Sequence, residues 1–176
     1  MPKEQDATLS GLQTALQMEI DGKKFYLKAS ESSRNSLGKD LLKKLAAEED
    51  THREIFKSIY NAIKDKKDWP DVKFKGDGGS ALRTVFARAL DAMDKSVDSM
   101  PAELDAVKTA MDMENKTLDY YNSREKIAVY DAEKELYGSL AVQEHEHHRV
   151  LLDYYDFLKD PAQWFVKTEH TSVDGG

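Results

Sequence analysis

The chain has 176 residues, 40% hydrophobic and 34% charged, enough apolar content for the core of one domain spanning residues 1–176. Its net charge of −7 argues against a nucleic-acid partner, which needs a basic surface. It has no cysteine, which excludes disulfides, thiolate metal sites, iron–sulfur clusters and cysteine catalysis within these residues.

The first hairpin of helices is predicted over residues 7–65. Leu9, Leu12, Leu16, Glu19 and Tyr26 recur on one face of a helix over 7–33. Ser36-Leu37-Gly38 is read as a short break. A second helix over 39–65 follows, with Leu42, Leu45, Glu49, His52, Phe56 and Ile59 at alternating steps of three and four. So short a link makes the two helices antiparallel neighbours.

Residues 66–100 form the predicted crossover. Trp69-Pro70 and Gly76-Asp77-Gly78-Gly79 are loop signals, and an amphipathic helix over 80–96 turns Leu82, Val85, Phe86, Leu90 and Met93 inward. Pro101 marks the first turn of the next helix. The second hairpin spans 101–159, with helices over 101–127 and 130–159. Its stripes are Leu104, Val107, Met111, Glu114, Leu118 and Tyr121, then Tyr137, Leu140, Glu144, His147, Leu151 and Tyr154. The tail, 160–176, is too short for another full helix, but Trp164 and Phe165 can dock on the bundle.

The two halves share a register. Glu49-Asp50-Thr51-His52 and Glu144-His145-Glu146-His147 both read Glu-x-x-His, and Glu19 and Glu114 each lie one helix earlier. All three correspondences have an offset of 95 residues, as do Leu9/Leu104, Tyr26/Tyr121 and Leu45/Leu140. A duplicated helix hairpin joined by a long connection gives an all-α four-helix bundle with one crossover carrying a short extra helix.

The six polar stripe residues Glu19, Glu49, His52, Glu114, Glu144 and His147 are predicted to face the core. Unpaired buried carboxylates are costly, and no Lys or Arg shares the stripes of the last three long helices. Lys23, beside the first stripe, is the nearest candidate. Two divalent cations would balance four carboxylates. Residues three apart share a helix face, so each Glu-x-x-His reaches one centre. Hard carboxylates with one imidazole per ion suit iron or manganese, with zinc also admissible. A single Glu-x-x-His reads equally well as a hydrogen-bonded core pair; two of them, matched by two further glutamates, point to metal.

Around these residues the sequence resembles the rubrerythrin branch of the ferritin-like superfamily. The matching segments are MEIDGKKFY at 18–26, LAAEEDTHREIF at 45–56, MENKTLDYY at 113–121 and LAVQEHEHHRVL at 140–151. The resemblance implies two iron ions, with terminal ligands Glu19 and Glu114, bridging carboxylates Glu49 and Glu144, and imidazoles His52 and His147. It also implies reduction of hydrogen peroxide or dioxygen with electrons from an external donor such as a rubredoxin-type protein, in a homodimer. Two departures stand out. Thr117 occupies the place of an extra carboxylate found in peroxidase members, and the absent cysteines leave no thiolate electron relay in these residues. Iron storage with ferroxidase activity, or a helical interaction module with structural metals, are the alternatives.

Tyr26 and Tyr121 lie seven residues after Glu19 and Glu114, where a phenol can hydrogen-bond a carboxylate across the bundle or simply fill the core. His145 and His148 are expected to point away from the site, and Glu48, Asp50 and Glu146 are read as surface acids. The polar N-terminus lacks the apolar stretch of a secretory signal, and no apolar run approaches the ~20 residues that span a bilayer. A cytoplasmic protein without a membrane segment is the expectation.

Overall fold

The computed structural model describes residues 2–65, 69–70, 72, 74–92, 101–164 and 166. Its helices, in chain order, are α1 (Pro2–Ser32), α2 (Ser36–Lys64), α3 (Ser80–Ala92), α4 (Pro101–Ile127) and α5 (Asp131–Lys159). Among the described residues there is no strand, and none of these helices is long and apolar enough to cross a membrane.

The order matches the sequence reading; the junctions differ in instructive ways. The break between the first two helices falls at residues 33–35, and Ser36-Leu37-Gly38 opens α2. Asn35 causes this. With φ −106° and ψ 149° it stands as the N-cap, and its Oδ1 accepts a hydrogen bond from the Gly38 amide at 2.6 Å. Gly38 is a helical residue chosen for space, because a Cβ there would collide with the Tyr154 hydroxyl. The first helix also starts at residue 2, ahead of the expected 7.

Two left-handed glycines, Gly78 (φ 62°) and Gly79 (φ 75°), turn the chain into α3. The Asp77 carboxylate caps that helix, accepting from the amides of Gly79 at 2.9 Å and Ala81 at 2.8 Å. Met93 and the expected continuation to residue 96 lie outside the described residues, as does Phe165. Residues 161–164 form a helical turn that seats Trp164 edge-on against Phe86, with ring centroids 5.9 Å apart.

α1 packs along α2, and α4 along α5, as two antiparallel hairpins. The hairpins meet chiefly through α1 and α4, whereas α2 and α5 touch little directly. α3 packs against both α2 and α5. The face carrying both Glu-x-x-His motifs is therefore roofed by the crossover.

The apolar core is split into two layers. One holds Tyr26, Leu41, Leu45, Val107, Val150 and Leu151. The other holds Leu12, Phe56, Ile59, Tyr121, Tyr137 and Leu140. On every long helix the residues between these layers are the charged stripe positions. Burial of the flanking hydrophobic side chains, each contributing about 1.5–3 kcal/mol, carries the polar layer inside with them.

Candidate metal centre

Each of the six stripe residues is at most 3% exposed. Glu19 comes from α1, Glu49 and His52 from α2, Glu114 from α4, and Glu144 and His147 from α5. Their ligand atoms form two groups, Glu19–Glu49–His52–Glu144 and Glu49–Glu114–Glu144–His147, each with all atoms within 4.8 Å of one another. Glu49 and Glu144 belong to both groups. The two imidazole rings lie nearly parallel, 5.7 Å between centroids and 11° between planes.

The Nδ1 atoms face the carboxylates. His52 Nδ1 lies 3.4 Å from Glu19 Oε2 and 3.2 Å from Glu144 Oε1. His147 Nδ1 lies 3.2 Å from Glu49 Oε1, 3.4 Å from Glu144 Oε2 and 3.6 Å from Glu114 Oε2. None of these contacts has hydrogen-bond geometry. Glu19 Oε2, Glu49 Oε1, both Glu144 oxygens and both Nδ1 atoms are buried without a hydrogen-bond partner. Buried polar atoms are ordinarily satisfied. Here six unsatisfied atoms converge, and all are donors of electron pairs. That is the condition a bound cation meets, and the oxygen-rich set with one nitrogen per group fits iron or manganese.

The electrostatics agree. Burial and the neighbouring carboxylates of Glu19 and Glu144 push Glu49 well above the usual carboxylate range. Burial and Glu144 do the same to Glu114. Burial disfavours the imidazolium at both histidines, but Glu19 beside His52, and Glu114 and Glu144 beside His147, raise both well above the ordinary histidine value. Glu144 moves the other way: against its burial, the charge of His147 and the close approach of both imidazoles hold it well below the usual range. Among the described residues no lysine or arginine pairs with any of the six; Lys23 turns outward to Asp50 at 2.8 Å.

The two tyrosines cross the bundle. Tyr26 on α1 donates to Glu114 Oε1 on α4, and Tyr121 on α4 donates to Glu19 Oε1 on α1. Burial, then the adjacent Glu114 or Glu19, pushes each phenol well above its ordinary pKa and keeps it a donor. Each outer glutamate therefore has one oxygen held by a phenol; in Glu19 the other is left buried and unbonded, facing the cluster. Gly22 lets α1 come close, since a Cβ there would lie 3.2 Å from Glu49 Oε2.

Other sequence expectations sort as follows. His145 is mostly exposed and points away. Thr117 turns its hydroxyl back to the Met113 carbonyl at 3.2 Å, adding no ligand. Glu146 is largely covered, paired with Arg83 at 2.6 Å and Arg149 at 3.2 Å, so it tethers α3 to α5 instead of standing free. Glu48 is the substantive correction. Its side chain is only 13% exposed, and its Oε2 lies 2.9 Å from His147 Nε2 and accepts from Gln143 Nε2 at 3.0 Å. Sequence reasoning placed it on the surface because it sits one residue off the α2 stripe. The available signal was the offset: Glu48 and Gln143 are 95 residues apart and immediately precede Glu49 and Glu144.

Curated proteins and solved structures yield no match to this chain. The rubrerythrin family model matches residues 11–155, a span that contains all four long helices in large part and all six residues of the cluster. With the all-α ferritin-like bundle and the buried carboxylate–histidine cluster in place, the chain belongs to the rubrerythrin family.

Proposed function

We propose that this chain is a non-haem di-iron redox protein that reduces hydrogen peroxide, or dioxygen, with electrons from an external donor such as a rubredoxin-type protein. One observation carries the reading: two four-residue ligand groups share Glu49 and Glu144, so two ions would be held side by side. Glu19 and His52 would complete one position, and Glu114 and His147 the other.

Two ferrous ions held by Glu19, Glu49, His52, Glu114, Glu144 and His147 would supply the two electrons that, with two protons from solvent, convert one peroxide into two waters, and the external donor would restore those electrons. The protein's part is positional and electrostatic. Glu49 and Glu144 fix the spacing of the two positions and share their charge. Tyr26 and Tyr121 orient the outer carboxylates through the hydrogen bonds they donate. The apolar layers on either side exclude water and keep the preorganised charges strong. A hollow of about 150 Å³, lined by His52, Phe74, Gly76 and Gln143 among others, is the approach for a small oxidant.

The test is anaerobic loading with ferrous iron followed by rapid mixing with peroxide. Expected is oxidation of the bound iron at one peroxide per two irons, much faster than iron free in the same buffer. Bound iron oxidised no faster than free iron would overturn the redox reading and leave metals that serve structure alone.

A further inference from the structure

The two halves of the centre are related by the 95-residue offset, and their first ring of contacts obeys it: Glu19 matches Glu114, Tyr26 matches Tyr121, and Glu49-x-x-His52 matches Glu144-x-x-His147. The next ring does not. The residue before each shared glutamate is Glu48 in one half and Gln143 in the other.

The structure uses that difference. Glu48 Oε2 lies 2.9 Å from His147 Nε2, so this imidazole is held through its outer nitrogen while Nδ1 faces the carboxylate cluster. A carboxylate on the outer nitrogen of a ligating histidine fixes its tautomer and raises the basicity of the other nitrogen.

Among the described residues His52 has no such partner. Its counterpart to Glu48 is the neutral Gln143, which donates one amide hydrogen to Glu48 at 3.0 Å and whose Oε1 is buried and unpartnered. Gly76 closes over that oxygen, since a Cβ at 76 would collide with it. Among the described residues no side chain takes the outer nitrogen of His52. Its ring is met edge-on by Phe74, with centroids 5.3 Å apart, and it lines the 150 Å³ hollow.

We propose that Glu48 and Gln143 make the two metal positions unequal. Glu48 is a positioning residue that anchors His147 and makes its position the tighter one, while the position at His52, whose outer nitrogen no described side chain holds and which borders the hollow, is the weaker and more exchangeable. This rests on the metal reading of the cluster, and the experiment separates the two.

Cobalt(II) is titrated into the full chain freed of metal. Two resolved binding steps are expected. His147→Ala should abolish the tighter step and His52→Ala the weaker. Glu48→Gln should weaken the tighter step about 10–100-fold and leave the other unchanged. The exchange Glu48→Gln with Gln143→Glu should move the tighter step to His52, so that His52→Ala now removes it. Circular dichroism of each metal-free variant verifies the helical fold, and Glu48→Asp, which keeps the charge, should retain part of the tight step. Two indistinguishable steps in the parent chain, equal weakening of both by Glu48→Gln, or a tight step that stays with His147 after the exchange would each overturn the inference. No binding in the parent chain would overturn the metal reading itself.

Discussion

Replacing Glu49 by Gln should stabilise the protein stripped of metal and disable it as a metal binder. Glu49 is 3% exposed, and its carboxylate shares the cluster with Glu19, Glu114 and Glu144. Two like charges 4.8 Å apart repel by about 3.5 kcal/mol at an effective dielectric constant of ~20. The His147 imidazole, 3.2 Å away, offsets part of this. Burial and the carboxylates still prevail, because Glu49 is pushed well above the usual carboxylate range. A neutral isostere removes that conflict without leaving a void. A net gain of roughly 1–3 kcal/mol follows, which for a chain of this size raises Tm by about 2–4 °C per kcal/mol. In the loaded protein the same change removes a shared ligand, so two bound ions should fall to one or none. Thermal melts with and without iron, beside elemental analysis, read both halves of the prediction. A metal-free melting temperature that falls by the several degrees typical of core damage would refute the view that these carboxylates are in electrostatic conflict without cations.

The pH dependence should invert on metal loading. His52, His147, Glu49 and Glu114 all have raised pKa values, so their stabilisation is complete below the unfolded values, about 6.5 and about 4.3, and is lost as pH rises through the folded ones. Glu144, depressed, contributes the opposite way, with stability lost only as pH falls below about 4.3. Denaturant titrations of stripped protein should show falling stability from about pH 5 upward, whereas loaded protein gains because ligands must be deprotonated; parallel curves would contradict this. Tyr121→Phe leaves Glu19 Oε1 without its donor and should cost about 1–3 kcal/mol in chemical denaturation, with a smaller effect expected only if the phenol is mere packing. Gly22→Ala should separate fold from site: better helix propensity, worth up to about 1 kcal/mol, against a Cβ 3.2 Å from Glu49 Oε2 that displaces a shared ligand. Metal affinity should drop about tenfold by titration while the stripped protein melts no lower.

The hairpins and the six clustered residues were legible because a helix repeats its environment every three to four residues. Glu19, Glu49, His52, Glu114, Glu144 and His147 fall on that period among leucines, so the stripe that buries the leucines buries them too. The 95-residue offset then supplied the pairing of halves, which helical period alone does not. What escaped was set by contacts off the stripe. Glu48 lies beside the α2 stripe, and spacing places such a residue at the surface; only because α2 and α5 stand apart can it reach sideways to His147. Gly38 reads as a breaker, yet Asn35 caps the helix before it and Tyr154 fills its Cβ space. The path of the crossover, with Phe74 on His52 and Gly76 on Gln143, has no period to read, because each contact depends on where α3 comes to rest.

The most direct test of the whole account is the metal content of the full chain purified without added metal, beside Glu49→Gln and Glu114→Ala prepared the same way. Two ions per chain, chiefly iron, falling to one or fewer in both variants while the helical fold persists, is the predicted result. A parent chain that holds no metal and binds none on anaerobic addition of ferrous iron would contradict it, and the buried carboxylates would then have to be stable by protonation alone.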